Sequence, residues 1–212
     1  MKKKQIVLAT AAGLLLLFTL VLGALHLYSR QPTLPKGTTL AGWEVGGIDR
    51  DQVRSQLKEN IQTLQSTTLT LTVEGNPGIT LTLKEAGIVY EAEPFLQGIQ
   101  NLGRGSLLKR VKARRNFPPN WSLHAHVDTQ ELKNILSKEW EKKTFGVPIN
   151  AARRITDDDR VVYTPETSTR QVDWQVMEQS LQSVIPKDFH QIESLHGKSI
   201  TVKVPLTILQ PP

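Results

Sequence analysis

An uncharged and mostly apolar run from Ile6 to Tyr28 constrains this chain more than any other feature. At about 1.5 Å of rise per residue, a helix of this length crosses a hydrocarbon core of roughly 30 Å. Three lysines precede the run, and by the positive-inside rule they predict a cytoplasmic N-terminus and an extracytoplasmic remainder. No convincing small-x-small cleavage site follows. Residues 1–30 are therefore predicted to be cytoplasmic lysines and an uncleaved transmembrane anchor, with a cleaved signal peptide as the alternative.

The positive charge of the chain is concentrated in two places. The formal net charge is +6, and residues 1–30 supply four of these charges with no acid among them. In the exported part, one short stretch contains six basic side chains and no acid. We call this set the basic stripe, and its members are Arg104, Lys109, Arg110, Lys112, Arg114 and Arg115. The exported part is thus predicted to have one basic face rather than a basic surface.

The prolines and the sequence patterns divide the exported part into a linker and two halves. Residues 31–37 contain two prolines and a glycine and are predicted to be a short, stiff linker. Residues 38–117 and 118–212 each indicate strand, helix, hairpin and helix, with a boundary at Pro118-Pro119. The segments 48–57 and 127–136 match at an offset of 79 residues, which suggests a duplication that binary patterning alone could also produce. The predicted class is α+β.

The first half carries three clear local patterns. "LAGWEVGG" predicts a short strand that ends at a Gly-Gly turn, and Asp49 then caps a helix from Arg50 to about Leu64. Apolar residues alternate with threonines on both sides of "GNPG", which predicts a β-hairpin with that turn. Pro94 begins a second helix, and Gly103 is its predicted C-cap.

The second half repeats these patterns with different residues. Asp128 and Asp173 are predicted to cap helices that follow short strands. Between them, "INAARRITDDDRVVYTPE" predicts a second hairpin with three aspartates at its turn. The chain then alternates through Ile200, Val202 and Val204, which predicts one closing strand.

The residue types needed for catalysis or for a cofactor are sparse. The chain has no cysteine, which excludes disulfides, a thiol nucleophile and lipoprotein processing. His124 and His126 share one face of a strand, but no further ligand motif accompanies them. The triple aspartate lacks the spacing of a calcium loop, and "GRGS" lacks the lysine of a P-loop. We expect no enzyme, no metal and no cofactor; two converging carboxylates would contradict this.

The basic stripe is the candidate binding region. Outside the cell, and without an aromatic ladder beside the arginines, nucleic acid is not an expected ligand. Anionic envelope polymers such as peptidoglycan, teichoic acid or lipid head groups fit better. A solvated helix face explains the same residues without any ligand.

Several short motifs resemble a peptidoglycan-binding domain family of Gram-positive exported proteins. They are "VGG" before the Asp49-capped helix, "LKEAGI" after the first hairpin, "GRG" after the next helix, and "VD" at the start of the last helix. This family precedes VanW-type and L,D-transpeptidase domains, and neither partner domain is expected in these 212 residues. The resemblance implies a mixed α+β binding or spacer domain and supplies no ligand residues.

Two functions follow as hypotheses. The first is a single-pass membrane protein whose extracytoplasmic region associates with peptidoglycan or another anionic wall polymer through the basic stripe. The second is an envelope scaffold that binds another membrane or exported protein through an apolar patch, with Trp140, Phe145 and Val147 as candidates.

Overall fold

The computed structural model describes residues 2–157, 160–195 and 197–211. They form two compact units, one of residues 1–59 and 92–123 (unit 1) and one of residues 60–91 and 124–212 (unit 2). The predicted α+β class with an N-terminal apolar helix is confirmed. Each unit takes residues from both predicted halves. The division at residue 118 and the internal duplication stay predictions.

The described part of the chain alternates between helices and short strands. The helices are α1 Lys2–Ser29, α2 Arg50–Gln65, α3 Glu93–Gly103, α4 Leu107–Arg115, α5 Thr129–Ile135, α6 Lys138–Phe145, α7 Trp174–Val184 and α8 Gln191–Leu195. The strands are β1 Thr39–Leu40, β2 Trp43–Glu44, β3 Thr68–Val73, β4 Asn76–Thr82, β5 Ile88–Glu91, β6 Asn120–Trp121, β7 His124–Val127, β8 Ala152–Ile155, β9 Val161–Thr164, β10 Thr169–Val172, β11 Ser199–Lys203 and β12 Leu206–Leu209.

The helix α1 contains one segment, Thr10–Ser29, that is long and apolar enough to cross a membrane by length and composition. Its mean hydropathy is 2.1, and most of it is exposed, although Ser29 at its end is buried. A signal sequence has the same properties. The uncleaved anchor and its orientation therefore stay predictions.

Unit 1 contains a tight hairpin of β1 and β2 where the sequence predicts a single strand. Strand β1 pairs antiparallel with β2 and parallel with β6, so the sheet order is β2-β1-β6. The two residues between β1 and β2 are Ala41 and Gly42, with φ of 46° and 80°. Two consecutive residues with positive φ form a tight turn whose twist matches that of the two flanking strands. This turn divides the predicted strand into β1 and β2. Asp49 caps α2 as predicted, because its Oδ1 accepts from the Asp51 N–H at 2.9 Å.

Unit 2 is built on a three-stranded sheet of order β11-β3-β4. The predicted hairpin of β3 and β4 is confirmed, and Leu69 and Leu71 on its inner face are fully buried. Its turn is Glu74-Gly75 rather than the predicted "GNPG", because Asn76 pairs with Val73 and continues β4. Only Gly75 adopts a positive φ there, at 76°.

The rest of unit 2 consists of two-stranded ladders and short capped helices. Strand β5 pairs with β7, β8 pairs with β9 as predicted, and β10 pairs with β12. Asp128 and Asp173 cap α5 and α7 as predicted. The Asp128 carboxylate accepts a hydrogen bond from the Gln130 N–H, and the Asp173 carboxylate accepts one from the Val176 N–H. The predicted single closing strand is wrong. It is divided at Pro205, and β11 pairs parallel with β3 whereas β12 pairs with β10. Asp158 and Asp159 of the predicted second turn lie outside the described residues.

Candidate binding groove and the basic stripe

The helices α3 and α4 position most of the basic stripe. Pro94 begins α3, whose buried face consists of Phe95, Ile99 and Leu102. The helix ends at Gly103 and its C-cap is Arg104, not the predicted Gly103. The left-handed residue of the connection is Gly105, with φ of 91°. It reverses the chain so that α4 begins two residues later and packs against α3.

The structure does not place all six stripe residues on one surface. Arg104, Lys109 and Lys112 are exposed and line one groove in unit 1. Arg115 is exposed but lines a different cavity. Arg110 is half-buried, and its Nε has no hydrogen-bond partner among the described residues. Three of the six stripe residues therefore line the groove, and the other three, Arg110, Arg114 and Arg115, do not.

Arg114 is buried and holds the linker. Its Nη1 donates to the carbonyl oxygens of Thr33 at 2.9 Å and Gln31 at 3.4 Å. Its guanidinium carbon lies 5.5 Å from the centre of the Tyr28 ring, within range of a cation–π contact. Burial lowers the pKa of Arg114, although an arginine stays charged at neutral pH. These contacts join α4 to the end of α1 and give Arg114 a structural role.

An aromatic cluster forms one wall of the groove. The Trp121 ring lies 5.5 Å from Phe95 and 5.2 Å from Phe117 between ring centres. The Trp121 Nε1–H donates to the Pro118 carbonyl oxygen at 2.9 Å, which fixes the indole. A Cβ placed on Gly98 of α3 would lie 2.8 Å from Trp121 Cη2, so only glycine lets the ring approach the helix this closely. This explains a glycine in a helix interior, where it costs about 1 kcal/mol relative to alanine.

Most of the remaining side chains that line the groove are polar or basic. Arg104, Lys109 and Lys112 lie there together with the amides of Asn101 and Asn116. No carboxylate is among the described residues that line the groove, and its volume is about 500 Å³. We call this site the α3–α4 groove. Sequence reasoning missed its aromatic wall, although "NFPPNW" directly follows the stripe, because charge spacing does not indicate which rings pack beside the basic residues.

The motif "LKEAGI" forms a turn rather than a site. Glu85 Oε2 accepts from the Thr82 N–H at 2.7 Å and from the Thr82 hydroxyl at 2.9 Å. The flanking Leu83, Ala86 and Ile88 are buried. The hydrogen bond from the backbone of Thr82 is the main cause that lowers the pKa of Glu85. The motif thus connects β4 to β5, and its carboxylate is used in the hydrogen bonds of the turn.

Replacing Glu85 with glutamine should make the stability of the protein less sensitive to acid. The pKa of Glu85 is lower in the folded chain than its ordinary value of 4.5. Its contribution is therefore fully present above about pH 4.5 and is lost as the pH falls through the folded pKa. The gap in melting temperature between wild type and Glu85→Gln should be largest at neutral pH and shrink below pH 4.5.

The exposed Glu178 of α7 gives the matched control. Glu178→Gln removes the same charge without touching a turn, and its gap to wild type should be small at every pH. A Glu85 gap that stays constant from pH 7 to about pH 3 would contradict the role of the Thr82 hydrogen bonds.

The two strand histidines do not meet further ligands in the described part of the chain. His126 Nδ1 lies 3.4 Å from a Glu91 carboxylate oxygen, and both side chains are about half exposed. Among the described residues, no group of three or more His, Cys, Asp or Glu side chains could hold a metal ion.

A family model described as "Putative peptidoglycan binding domain" matches residues 79–193, which is more than half of the chain. The chain belongs to this family. The match to the peptidoglycan-binding family contains every residue that lines the α3–α4 groove, and also the turn of Glu85. The match begins within β4. The "VGG" motif before the Asp49-capped helix, which also resembles this family, therefore lies outside the match. Neither a curated protein nor a solved structure matches the chain.

Membership of the peptidoglycan-binding family fits association with the cell wall. The apolar helix α1 is compatible with an exported or anchored protein, and together these features suggest an extracytoplasmic location. The Gram-positive source and the relation to VanW-type proteins stay predictions.

Proposed function

We propose that this protein is a single-pass membrane protein, N-terminus inside, whose extracytoplasmic region binds peptidoglycan or another anionic wall polymer without catalysing a reaction. The observation that carries the proposal is the convergence of Arg104, Lys109 and Lys112 on one groove inside the matched family segment. Three cations on a groove whose described lining contains no carboxylate attract an anionic polymer over roughly 8 Å at physiological salt. Arg115 and Arg110 add positive charge nearby on α4. Arg114 stabilises the position of this helix through its hydrogen bond to the Thr33 carbonyl oxygen.

Co-sedimentation of the full chain in detergent with isolated sacculi tests this proposal. Binding should weaken steadily as salt is raised, because exposed charge pairs are screened. The triple variant Arg104→Gln, Lys109→Gln, Lys112→Gln should bind about tenfold more weakly, since each exposed ion pair contributes roughly 0.2–1 kcal/mol.

A charge-matched variant separates the groove from net charge. Lys58, Lys84 and Lys187 are exposed and lie outside the groove, and changing all three to glutamine removes the same charge. This control should bind sacculi as wild type does at physiological salt. Equal losses in the two triple variants would reject the groove, and wild-type protein that stays in the supernatant at low salt would reject wall binding. Sacculi with and without teichoic acid distinguish peptidoglycan from the accessory polymer.

A second candidate function is an envelope scaffold, favoured by exposed apolar side chains in unit 2. The hairpin of β8 and β9 exposes Ile155, Val162 and Tyr163, and Val147 precedes it with about half of its surface exposed. Trp140 and Phe145, the other candidates for this patch, are half-buried and pack edge to face at 5.6 Å. Crosslinking in membranes through residue 162 tests this role, and a crosslinked partner that is lost in Tyr163→Glu supports it.

A further inference from the structure

The aromatic wall of the α3–α4 groove presents carbon surface and no free polar atom of the indole. The Nε1–H of Trp121 is already donated to the Pro118 carbonyl oxygen. Trp121 is also packed against Phe95 and Phe117, so its position is fixed before any ligand arrives. A fixed, electron-rich ring is suited to a flat apolar face that carries slightly positive hydrogens.

The polar and basic residues of the groove make a different chemical demand. Arg104, Lys109 and Lys112 require an anion, and a guanidinium and two ammonium groups form charge-assisted hydrogen bonds with carboxylates. Asn101 and Asn116 each offer an amide that both donates and accepts. A volume of about 500 Å³ lies within the usual range of small-molecule sites, so the groove holds a short unit and not a whole polymer.

An amino sugar that carries a short peptide with free carboxylates meets both demands at once. One face of a pyranose ring carries C–H groups that pack on an indole, and its edges carry hydroxyl and acetamido groups for the two asparagines. A lipid head group has an anion but no flat ring for the indole. A neutral sugar has the ring but leaves the three cations unpaired.

We infer that the α3–α4 groove is a saccharide site, in which an N-acetylated sugar stacks on Trp121 while a carboxylate of the peptide attached to that sugar pairs with Arg104, Lys109 and Lys112. This inference rests on the proposed wall association and specifies the unit of the polymer that is bound. Trp121 selects the sugar ring, and the basic residues select its charged substituent. Gly98 acts as a positioning residue, because it lets the indole lie against α3.

The indole N–H resonances of the full chain in detergent micelles test the inference. The chain has four tryptophans, and Trp121→Phe assigns the signal of Trp121. The probes are an N-acetylglucosamine–N-acetylmuramic acid–peptide fragment, chitotriose, the stem peptide alone, and a glycerol phosphate oligomer. The disaccharide–peptide should shift the Trp121 signal in a saturable way, and chitotriose should bind about tenfold more weakly or worse. The stem peptide and the glycerol phosphate should not shift the signal through stacking.

Variants give a second readout that does not depend on that signal. Affinity for the disaccharide–peptide, measured by calorimetry, should fall about threefold to tenfold in Trp121→Phe and in Gly98→Ala, which displaces the ring. Trp174→Phe, an aromatic change in unit 2, should bind as wild type does. Trp121→Phe keeps an aromatic ring in the cluster. It therefore still tests the stacking contact if Gly98→Ala unfolds the protein.

The outcomes separate this inference from the proposed function. Sacculus binding that needs the three cations but is unchanged in Trp121→Phe and Gly98→Ala would overturn the saccharide site and leave wall association intact. A Trp121 signal that does not move at about 10 mM disaccharide–peptide would overturn it as well. A shifted Trp121 signal without sacculus binding would support the site and reject wall association. A shift produced by glycerol phosphate alone would assign the groove to a phosphate polymer instead.

Discussion

Replacing Gly87 with alanine should lower the free energy of unfolding by about 3 kcal/mol or more. Gly87 has φ of 75°, a conformation that costs a side-chain-bearing residue about 1–2 kcal/mol. A Cβ at this position would also run into the backbone carbonyl oxygen of Asp128. That approach cannot relax cheaply, because the Asp128 N–H donates to the Gly87 carbonyl oxygen at 2.7 Å. The adjacent pairing of Ile88 with Val127 begins the ladder of β5 and β7.

Gly75, in the turn between β3 and β4, provides the matched control. Its φ is 76°, nearly the same as that of Gly87, but a Cβ there would meet no atom within 4 Å. Gly75→Ala should therefore cost only the backbone strain of about 1–2 kcal/mol. Thermal unfolding of the two variants, with hydrogen exchange of the β5 and β7 amides as a local readout, distinguishes the two costs. Equal losses in both variants would mean that the Asp128 contact contributes nothing.

The second large effect is expected at Arg114. Arg114→Met should reduce the free energy of unfolding by roughly 2–4 kcal/mol, because a hydrogen bond to a charged group contributes about 1.5–3 kcal/mol and two carbonyls lose their donor. These carbonyls belong to Gln31 and Thr33, so the linker should become sensitive to protease. Arg114→Lys should recover only part of the loss, because an ammonium lacks the planar fork of a guanidinium.

The neighbouring Arg115 gives the control for this prediction. Arg115→Met makes the same chemical change one residue later on α4, at an exposed position. Its effect on the melting temperature should be small, because exposed substitutions usually stay within about 0.5 kcal/mol. If Arg115→Met destabilises the protein as much as Arg114→Met does, the bonds to the linker are not what makes Arg114 important.

Local patterns were sufficient to predict many elements of this fold. Asp49, Asp128 and Asp173 each cap the predicted helix, because an aspartate before an apolar-periodic run satisfies free N–H groups of the first turn in any tertiary setting. The alternation in β3 and β4 predicted their pairing for a similar reason, since neighbouring strands joined by a short turn pair with each other.

The candidate site could be predicted only in part. Six basic residues in one stretch indicated a charged region, but their types did not reveal that Arg114 lies inside and Lys112 outside. That difference comes from the packing of α4 against the end of α1, where the Tyr28 ring and two linker carbonyls surround one guanidinium.

The sequence by itself determined the three aspartate N-caps, the hairpin of β3 and β4 and the family of the chain, because each depends on residues close together or on a linear pattern. Only the tertiary structure decided that β11 pairs with β3, since many strands have the same alternation and the choice of a partner about 130 residues away depends on the whole fold. It also decided that Trp121 meets Gly98 and completes the α3–α4 groove, because a contact between a ring and a helix backbone leaves no pattern in either segment.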